Sequence, residues 1–195
     1  MSSHTAVKPL ETDVKFHFSA KNQDEIKKII GKYPSGRQHS AVMPILTLAQ
    51  EQIGGWLTLS AMNEVAAILD MPPARVYEVA SFYSMYRHAP VGKHVVEICT
   101  TTPCMLRGSD KIVEACERHL GIKMGENTRD GLFSLAEVEC LGACVNAPML
   151  QIGADTYEDL NAETAVAVLD LIAAGKTPSP GPQSGRKASE PHSGA

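Results

Sequence analysis

The sequence lacks the features that identify membrane-spanning proteins and autonomous nucleotide-binding enzymes. None of its 195 residues belongs to an apolar run that approaches the roughly 20 residues needed to cross a bilayer. It contains neither a G-x-G-x-x-G segment behind a strand nor a G-x-x-x-x-G-K-[ST] segment, the two backbone cradles for dinucleotides and nucleotide phosphates. We therefore expect no direct membrane insertion and no binding site for NADH or flavin within this chain.

Excess positive charge and histidine clusters are also missing. The formal net charge is −4 at pH 7, which argues against nucleic acid or an anionic membrane as the main partner. The seven histidines are scattered along the chain, so no histidine metal motif is visible. The whole chain contains 44% hydrophobic and 21% charged residues. This is the composition of an ordinary globular protein with one or two domains.

The first residues, "MSSHTAVKPLETDVKF", carry no evident targeting segment. They lack the apolar stretch of a secretory signal, and Glu11 and Asp13 are unlike an Arg-rich transit peptide. A reducing compartment is therefore the expected location. There, the five cysteines favour metal or redox chemistry over paired disulfides.

Composition and periodicity divide the chain into four parts. A polar lead is followed by four short helical segments, the first with Asn22 as a possible N-cap. After "HAPVGK" the pattern predicts the order β-α-β-β-β-α, and the final residues are too rich in Pro, Gly and Ser to fold alone. The predicted parts are a flexible N-terminal lead at 1–19, a helical bundle domain at 20–88, an α/β domain at 89–175 and a C-terminal tail at 176–195.

Two cysteine pairs follow predicted strands of the α/β domain. "HVVEIC" ends at Cys99 and continues as C-x4-C to Cys104, whereas "LFSLAEVEC" ends at Cys140 and continues as C-x3-C to Cys144. The helix "SDKIVEACERHLG" separates these strands, and strands joined by such a crossover usually run parallel and close together. We therefore expect the four thiols at the carboxyl edge of one sheet, where open α/β sheets bind ligands. Cys104 also precedes that helix, whose N-terminal positive charge would favour its thiolate form.

Four kinds of site are compatible with two cysteine pairs: disulfides, a thiol redox couple, a zinc site or an iron–sulfur cluster. Structural zinc sites and thioredoxin-type redox couples usually use C-x2-C, a spacing that neither pair has. Plant-type [2Fe–2S] ferredoxins use a C-x4-C element together with ligands from a second loop. The spacing thus favours an iron–sulfur cluster, with zinc and disulfides still open.

Two residues near the cysteine pairs have structural interpretations as well. Cys116 shares an i, i+4, i+8 stripe with Ile112 and Leu120, which predicts a core position rather than a ligand role. Arg107 follows Cys104 by three residues. It is interpreted either as a counter-charge or donor beside the site, or as a solvated loop charge.

At "CTTTPCMLR" and "VECLGACVNAP" the sequence closely resembles the small iron–sulfur subunit of respiratory complex I, NADH:ubiquinone oxidoreductase. The resemblance extends to "MPPARVYEVASFYSMY", "PVGKH", "YEDL" and "PGPQSGR", and it covers roughly residues 20–187. Such proteins combine an N-terminal helical bundle with a thioredoxin-like domain that carries one [2Fe–2S] cluster. The implied fold class is therefore α/β, a helical bundle followed by a thioredoxin-like [2Fe–2S] ferredoxin domain.

The resemblance also implies a site, partners and a location. The implied cluster ligands are Cys99, Cys104, Cys140 and Cys144. The cluster would exchange single electrons with the FMN of a partner flavoprotein subunit that binds NADH, and the large iron–sulfur subunit of complex I would be a second partner. The chain would be a non-autonomous subunit of an H+-translocating NADH:ubiquinone reductase, with no catalytic residue of its own. It would lie on the matrix side of the mitochondrial inner membrane, or alternatively on the cytoplasmic face of a bacterial plasma membrane.

Two functions of other classes remain alternatives. The first is a thioredoxin-like thiol–disulfide oxidoreductase, in which one cysteine pair would be oxidised and reduced. The second is a structural subunit stapled by zinc.

Overall fold

The computed structural model of the chain describes residues 15–190. The chain divides into two compact units, Met1–Val91 and Gly92–Ala195. The sequence prediction set the corresponding boundary between residues 88 and 89. Most of the predicted lead at 1–19 and the last five residues of the predicted tail lie outside the described residues.

The first unit is built from helices over its described residues, 15–91. They are α1 (Ala20–Ile30), a 3₁₀ helix (Gln38–Ala41), α2 (Val42–Ile53), α3 (Leu59–Ile68) and α4 (Pro73–Phe82). The N-cap of α1 is Ser19, whose hydroxyl accepts a hydrogen bond from the Asn22 N–H at 3.3 Å. The prediction of Asn22 as the cap is therefore wrong, because the helix already includes that residue.

Apolar side chains of all four α helices share one core in the first unit. Its buried members include Ile26 from α1, Ile45 and Leu46 from α2, Val65 from α3 and Val76 from α4. Gly54 ends α2 with a φ of 104°, a left-handed conformation that glycine adopts at little cost. Pro73 opens α4, where its missing N–H is not needed for a helical hydrogen bond.

The second unit contains a five-stranded sheet over residues 92–190, with the strand order β2-β1-β3-β4-β5. Its strands are β1 (His94–Cys99), β2 (Phe133–Val138), β3 (Leu150–Ile152), β4 (Asp155–Glu158) and β5 (Gly181–Pro182). β1 is parallel to β2 and antiparallel to β3, β3 is antiparallel to β4, and β4 is parallel to β5. The helices are α5 (Thr102–Leu106), α6 (Ser109–Leu120) and α7 (Ala162–Ala173).

The register between β1 and β2 positions the two cysteine loops. Pairing runs from His94 opposite Phe133 to Cys99 opposite Val138, so both strands end at the same edge of the sheet. The parallel arrangement and the strand at "HVVEIC" are thereby confirmed. The second strand ends at Val138 rather than at Cys140, two residues earlier than predicted.

Helices α6 and α7 contribute their apolar residues to the core beside the sheet. Cys116 of α6 is completely buried, and its cluster includes Ile112 from the same helix and Leu169 from α7. The prediction that Cys116 is a core residue is confirmed. Within residues 15–190, no helix combines the length and the apolar character needed to span a bilayer.

The described part of the predicted tail, residues 176–190, is joined to the sheet. β5 lies in this segment and pairs with β4, and the N–H of Gln183 donates to the carbonyl oxygen of Glu158 at 2.9 Å. The segment is poor in large apolar residues, but backbone hydrogen bonds do not require them. The sequence predicted only that this segment would not fold alone, and its described part is ordered by pairing with the sheet.

Candidate metal centre

The first cysteine pair is held inside regular structure. Cys99 is the last residue of β1, and Cys104 is the middle residue of the five-residue helix α5. Both are buried, with 1% of each residue exposed. Cys104 does not stand directly before the long helix as predicted, because it lies within α5 and α6 begins only at Ser109.

The second cysteine pair lies at the surface in the loop after β2. Cys140 follows the strand by two residues, and Cys144 begins the 3₁₀ helix Cys144–Asn146. Both residues are exposed, and their sulfur atoms are 3.3 Å apart. Gly142 between them has a φ of 93°, which glycine accommodates readily, and its N–H donates to the Cys140 sulfur at 3.4 Å.

Contacts between the two loops bring the pairs together. The backbone N–H of Leu141, which lies between Cys140 and Cys144, donates to the sulfur of Cys99. Beneath the loops lies a small buried cluster that consists of Cys99, Cys104, Ala147 and Met149, with Leu141 and Ala143 partly buried against it. The second cysteine loop therefore packs against the first pair at the carboxyl edge of β1 and β2.

Hydrogen bonds make Cys99 the more acidic member of its pair. Burial opposes ionisation of this thiol, but its pKa still lies below the ordinary value. The lowering comes from hydrogen bonds to its sulfur by the Thr101 hydroxyl and backbone amide, the Cys104 thiol and the Leu141 amide. The Thr101 oxygen is 3.3 Å from the sulfur.

Cys104 and Cys144 have raised pKa values for different reasons. Burial, together with its hydrogen bond to Cys99 and the charge on that residue, raises the pKa of Cys104 to about 12. The hydrogen bond with Cys140 is the main cause of the raised pKa of Cys144, which the charge on Cys99 raises further. The expectation that a helix N-terminus would favour the thiolate form of Cys104 is therefore wrong, because burial and the neighbouring Cys99 raise the pKa of this thiol.

The thiols form two pairs rather than one tight group. All five cysteines are free, and the 3.3 Å between the Cys140 and Cys144 sulfurs exceeds the roughly 2.05 Å of a disulfide bond. Within residues 15–190, no group of three or more His, Cys, Asp or Glu side chains is arranged to hold one metal ion. Once deprotonated, the two thiolate pairs would suit a group with more than one metal centre better than a single ion.

Several polar residues beside the cysteines were not found by sequence reasoning. Thr101 contacts the Cys99 sulfur, and the buried Asn146 accepts a hydrogen bond from Arg186 of the tail. The segment "PGPQSGR" was the sequence signal for Arg186, but no spacing rule connects it with a cysteine loop. Arg107 is exposed, which favours its interpretation as a solvated loop charge.

The fold and the paired cysteines define the class of protein. Residues 26–173 match the model of the thioredoxin-like [2Fe-2S] ferredoxin family, and the chain belongs to this family. This confirms the α/β fold class with a thioredoxin-like [2Fe–2S] ferredoxin domain that the sequence resemblance implied. The cofactor is one [2Fe–2S] cluster, and the donor set of four cysteines fits it.

Individual relatives give a more specific comparison. The chain is 48% identical over 190 residues to NADH dehydrogenase [ubiquinone] flavoprotein 2, mitochondrial, of Dictyostelium discoideum, a match that covers 97% of this chain and 77% of that protein. It is 55% identical over 150 residues to a subunit of the NADH-quinone oxidoreductase of Rickettsia typhi, covering 77% of this chain and 88% of the relative. A crystal structure of an NAD+-reducing [NiFe]-hydrogenase in the air-oxidized state superposes with a TM-score of 0.57 at 21% identity, over 67% of this chain and 23% of that one. This last similarity concerns the fold alone.

The burial of the thiols predicts which of them react. In folded, metal-free protein, N-ethylmaleimide should modify Cys140 and Cys144 rapidly, whereas the three buried cysteines should react only after unfolding in guanidinium. Mass spectrometry of peptides after timed quenching measures this order. Cys116→Ala is the matched control and should leave the fast phase unchanged. Fast modification of Cys99 or Cys104 would contradict the buried position of that pair.

Proposed function

We propose that this chain is the electron-transfer iron–sulfur subunit of a respiratory NADH:quinone oxidoreductase, and that its two cysteine pairs hold the cluster. One observation carries the proposal: two thiol pairs meet at the end of the parallel strands β1 and β2. The relatives named above support the assembly, since the match to the Dictyostelium protein extends over 97% of this chain.

The proposed ligands are Cys99, Cys104, Cys140 and Cys144. A single zinc ion needs its four ligands at roughly 2.0–2.3 Å from one point. A two-iron cluster is wider and divides four cysteines between two irons. Within residues 15–190, no three of these side chains are arranged around one point, and this supports the two-iron cluster over a structural zinc site.

The residues around the thiols supply hydrogen-bond donors and exclude water from one side. When bound, the cluster supplies one-electron transfer. The Thr101 hydroxyl and the Leu141 N–H point at the Cys99 sulfur, and the Gly142 N–H points at the Cys140 sulfur. These donors stabilise negative charge on sulfur, while burial of the first pair keeps solvent away from it.

Exposed apolar side chains directly after Cys104 and Cys144 support docking of a partner at this site, and we call them the apolar rim. The rim consists of Met105, Leu106 and Val145, which are 56%, 76% and 67% exposed. Large apolar side chains next to a redox site favour a protein neighbour over bulk water. We assign this neighbour as the flavoprotein subunit that binds FMN and NADH, because the chain shows no motif for either molecule.

The large iron–sulfur subunit of the same complex is the second proposed partner. The relatives include a mitochondrial and a bacterial protein, so the proposed location depends on the type of cell. In a eukaryote the chain would lie on the matrix side of the mitochondrial inner membrane. In a bacterium it would lie on the cytoplasmic face of the plasma membrane.

The metal content and a ligand substitution test the proposed site. Purified protein should be brown, with about two irons and two labile sulfides per chain. Cys140→Ser should lose the cluster or shift its absorption and EPR spectra, whereas Cys116→Ala, a matched loss of a core thiol, should preserve them. Equal spectra for the two variants would refute the ligand assignment. Colourless protein that contains zinc would support the alternative of a structural zinc site. Metal-free protein with reversible Cys99–Cys104 oxidation would support the alternative of a thiol–disulfide oxidoreductase.

A second substitution tests the hydrogen bond from Thr101. Thr101→Val should lower the reduction potential, because the lost donor stabilised the more negative, reduced state. A differential loss of ~1 kcal/mol corresponds to about 40 mV for a one-electron couple. EPR-monitored redox titration measures this shift. Thr102→Val, at an exposed position of α5, is the control and should leave the potential unchanged; equal shifts in both variants would exclude the proposed role of Thr101.

A substitution in the apolar rim tests whether this surface binds the FMN-containing subunit. Leu106→Glu should weaken association with the FMN-containing subunit about tenfold, since burial of one unpaired charge costs more than ~1.4 kcal/mol. Co-purification of tagged protein, with FMN measured by fluorescence after acid release, reports the association. Leu171→Glu places the same charge on α7, outside the rim, and should bind normally. If Leu106→Glu retains the flavin partner at the wild-type level, the rim is not the docking surface.

A further inference from the structure

The Arg186 side chain connects three segments of the second unit that are distant in sequence. Its Nε and Nη2 atoms donate to the two carboxylate oxygens of Asp159 at 2.5 and 2.6 Å, the two-point geometry that a guanidinium group favours. Nη2 also donates to the carbonyl oxygen of Val145 at 3.1 Å and to Oδ1 of Asn146 at 2.5 Å. Val145 and Asn146 directly follow Cys144 in the chain. One side chain therefore ties the C-terminal segment to the end of the second cysteine loop.

This contact is buried even though the segment that provides it lies at the surface. The side chains of Arg186 and Asp159 are 9% and 4% exposed, and Asn146 is buried as well. Buried polar groups are costly unless they are hydrogen-bonded, so the loss of one member leaves the others unsatisfied. The three residues therefore hold one arrangement rather than several alternative ones.

Asn146 links the same network to the backbone. Its Nδ2 atom donates to Glu158 at 2.5 Å and to the carbonyl oxygen of Ala188 at 3.0 Å. Its own carbonyl oxygen accepts a hydrogen bond from the Asp159 N–H at 2.7 Å. With Oδ1 bound to Arg186, both ends of the amide are used, and the turn that follows Cys144 is fixed on several sides.

Only one cysteine pair needs this support. Cys99 and Cys104 are buried within β1 and α5, so packing holds them. Cys140 and Cys144 are exposed and lie in a loop. Packing of Leu141 and Ala143 holds the middle of this loop, and the network of Arg186 adds hydrogen bonds at its Cys144 end.

We propose that Arg186 is a positioning residue for Cys144, which it holds through Val145 and Asn146 in the orientation that binds the metal. This inference rests on the proposed ligand role of Cys144. It gives the "YEDL" and "PGPQSGR" segments a joint function, because Asp159 belongs to the first and Arg186 to the second. The role is distinct from general stability, since it acts on the geometry of a single ligand.

The experiment compares three variants of the full chain. Arg186→Met removes all the contacts, and Arg186→Lys keeps the charge but cannot bind the carboxylate at two points. Lys187→Met removes the neighbouring, exposed charge and serves as the control. The readouts are the rate of iron transfer to a chelator, the EPR spectrum of the dithionite-reduced protein and the circular dichroism of the metal-free chain.

We expect Arg186→Met to release iron about tenfold faster than the wild type, the size of effect that residues supporting metal ligands usually have. Its EPR g values should shift, because the geometry at one ligand has changed. Arg186→Lys should lie between Met and the wild type. Lys187→Met should stay within about twofold of the wild-type rate and keep the wild-type spectrum.

Each other outcome is decisive. If folded Arg186→Met keeps the wild-type rate and spectrum, the positioning role is refuted and the ligand assignment stands. If Arg186→Met does not fold, Arg186→Lys decides, and wild-type behaviour of that variant refutes the role equally. Cys144→Ser is measured in parallel: if it retains the wild-type spectrum, the proposed ligand, and not the role of Arg186 alone, is overturned.

Discussion

The parallel pairing of β1 with β2 is the constraint on which the candidate site depends. It sets Cys99 opposite Val138, so that the loops after both strands leave the sheet at one edge. Parallel strands require a crossover, and here the crossover includes α5, the helix that carries Cys104. A register slip of one residue would turn Cys99 toward the other face of the sheet. Backbone hydrogen bonds, rather than attraction between sulfur atoms, therefore bring the two cysteine pairs together.

The two pairs meet in very different surroundings, and this difference determines how the site behaves. In the cluster-free chain, burial raises the pKa of Cys104 to about 12, whereas several donors lower the pKa of Cys99. In the proposed site Cys104 would bind as a thiolate, so the free energy of metal binding would also have to ionise this buried thiol. The exposed pair lies outside the buried cluster that contains Cys99 and Cys104, and its loop must be held in place. Packing thus holds the first pair in place, whereas hydrogen bonds from Arg186 contact the loop of the second pair.

The C-terminal segment illustrates a form of folding that composition does not reveal. Residues 176–190 contain many Pro, Gly and Ser residues, and apolar burial alone would not order them. Instead, β5 adds to the edge of an existing sheet, and Arg186 binds a buried carboxylate on the adjoining turn. Both interactions need a partner that is already folded. The segment is therefore ordered by the domain that it contacts, and it contacts that domain beside the second cysteine loop.

Much of this molecule was determined by local sequence. The strand "HVVEIC", the burial of Cys116 and the paired cysteines behind two strands follow from patterns within a few residues, because hydrophobic periodicity and strand ends are local properties. The resemblance in the cysteine loops supplied the class of protein. Tertiary structure decided the rest: the high pKa of Cys104 comes from burial beneath a second loop, and the contact of Arg186 with Asp159 spans 27 positions. Neither is visible in the sequence, because both depend on groups that only folding brings together.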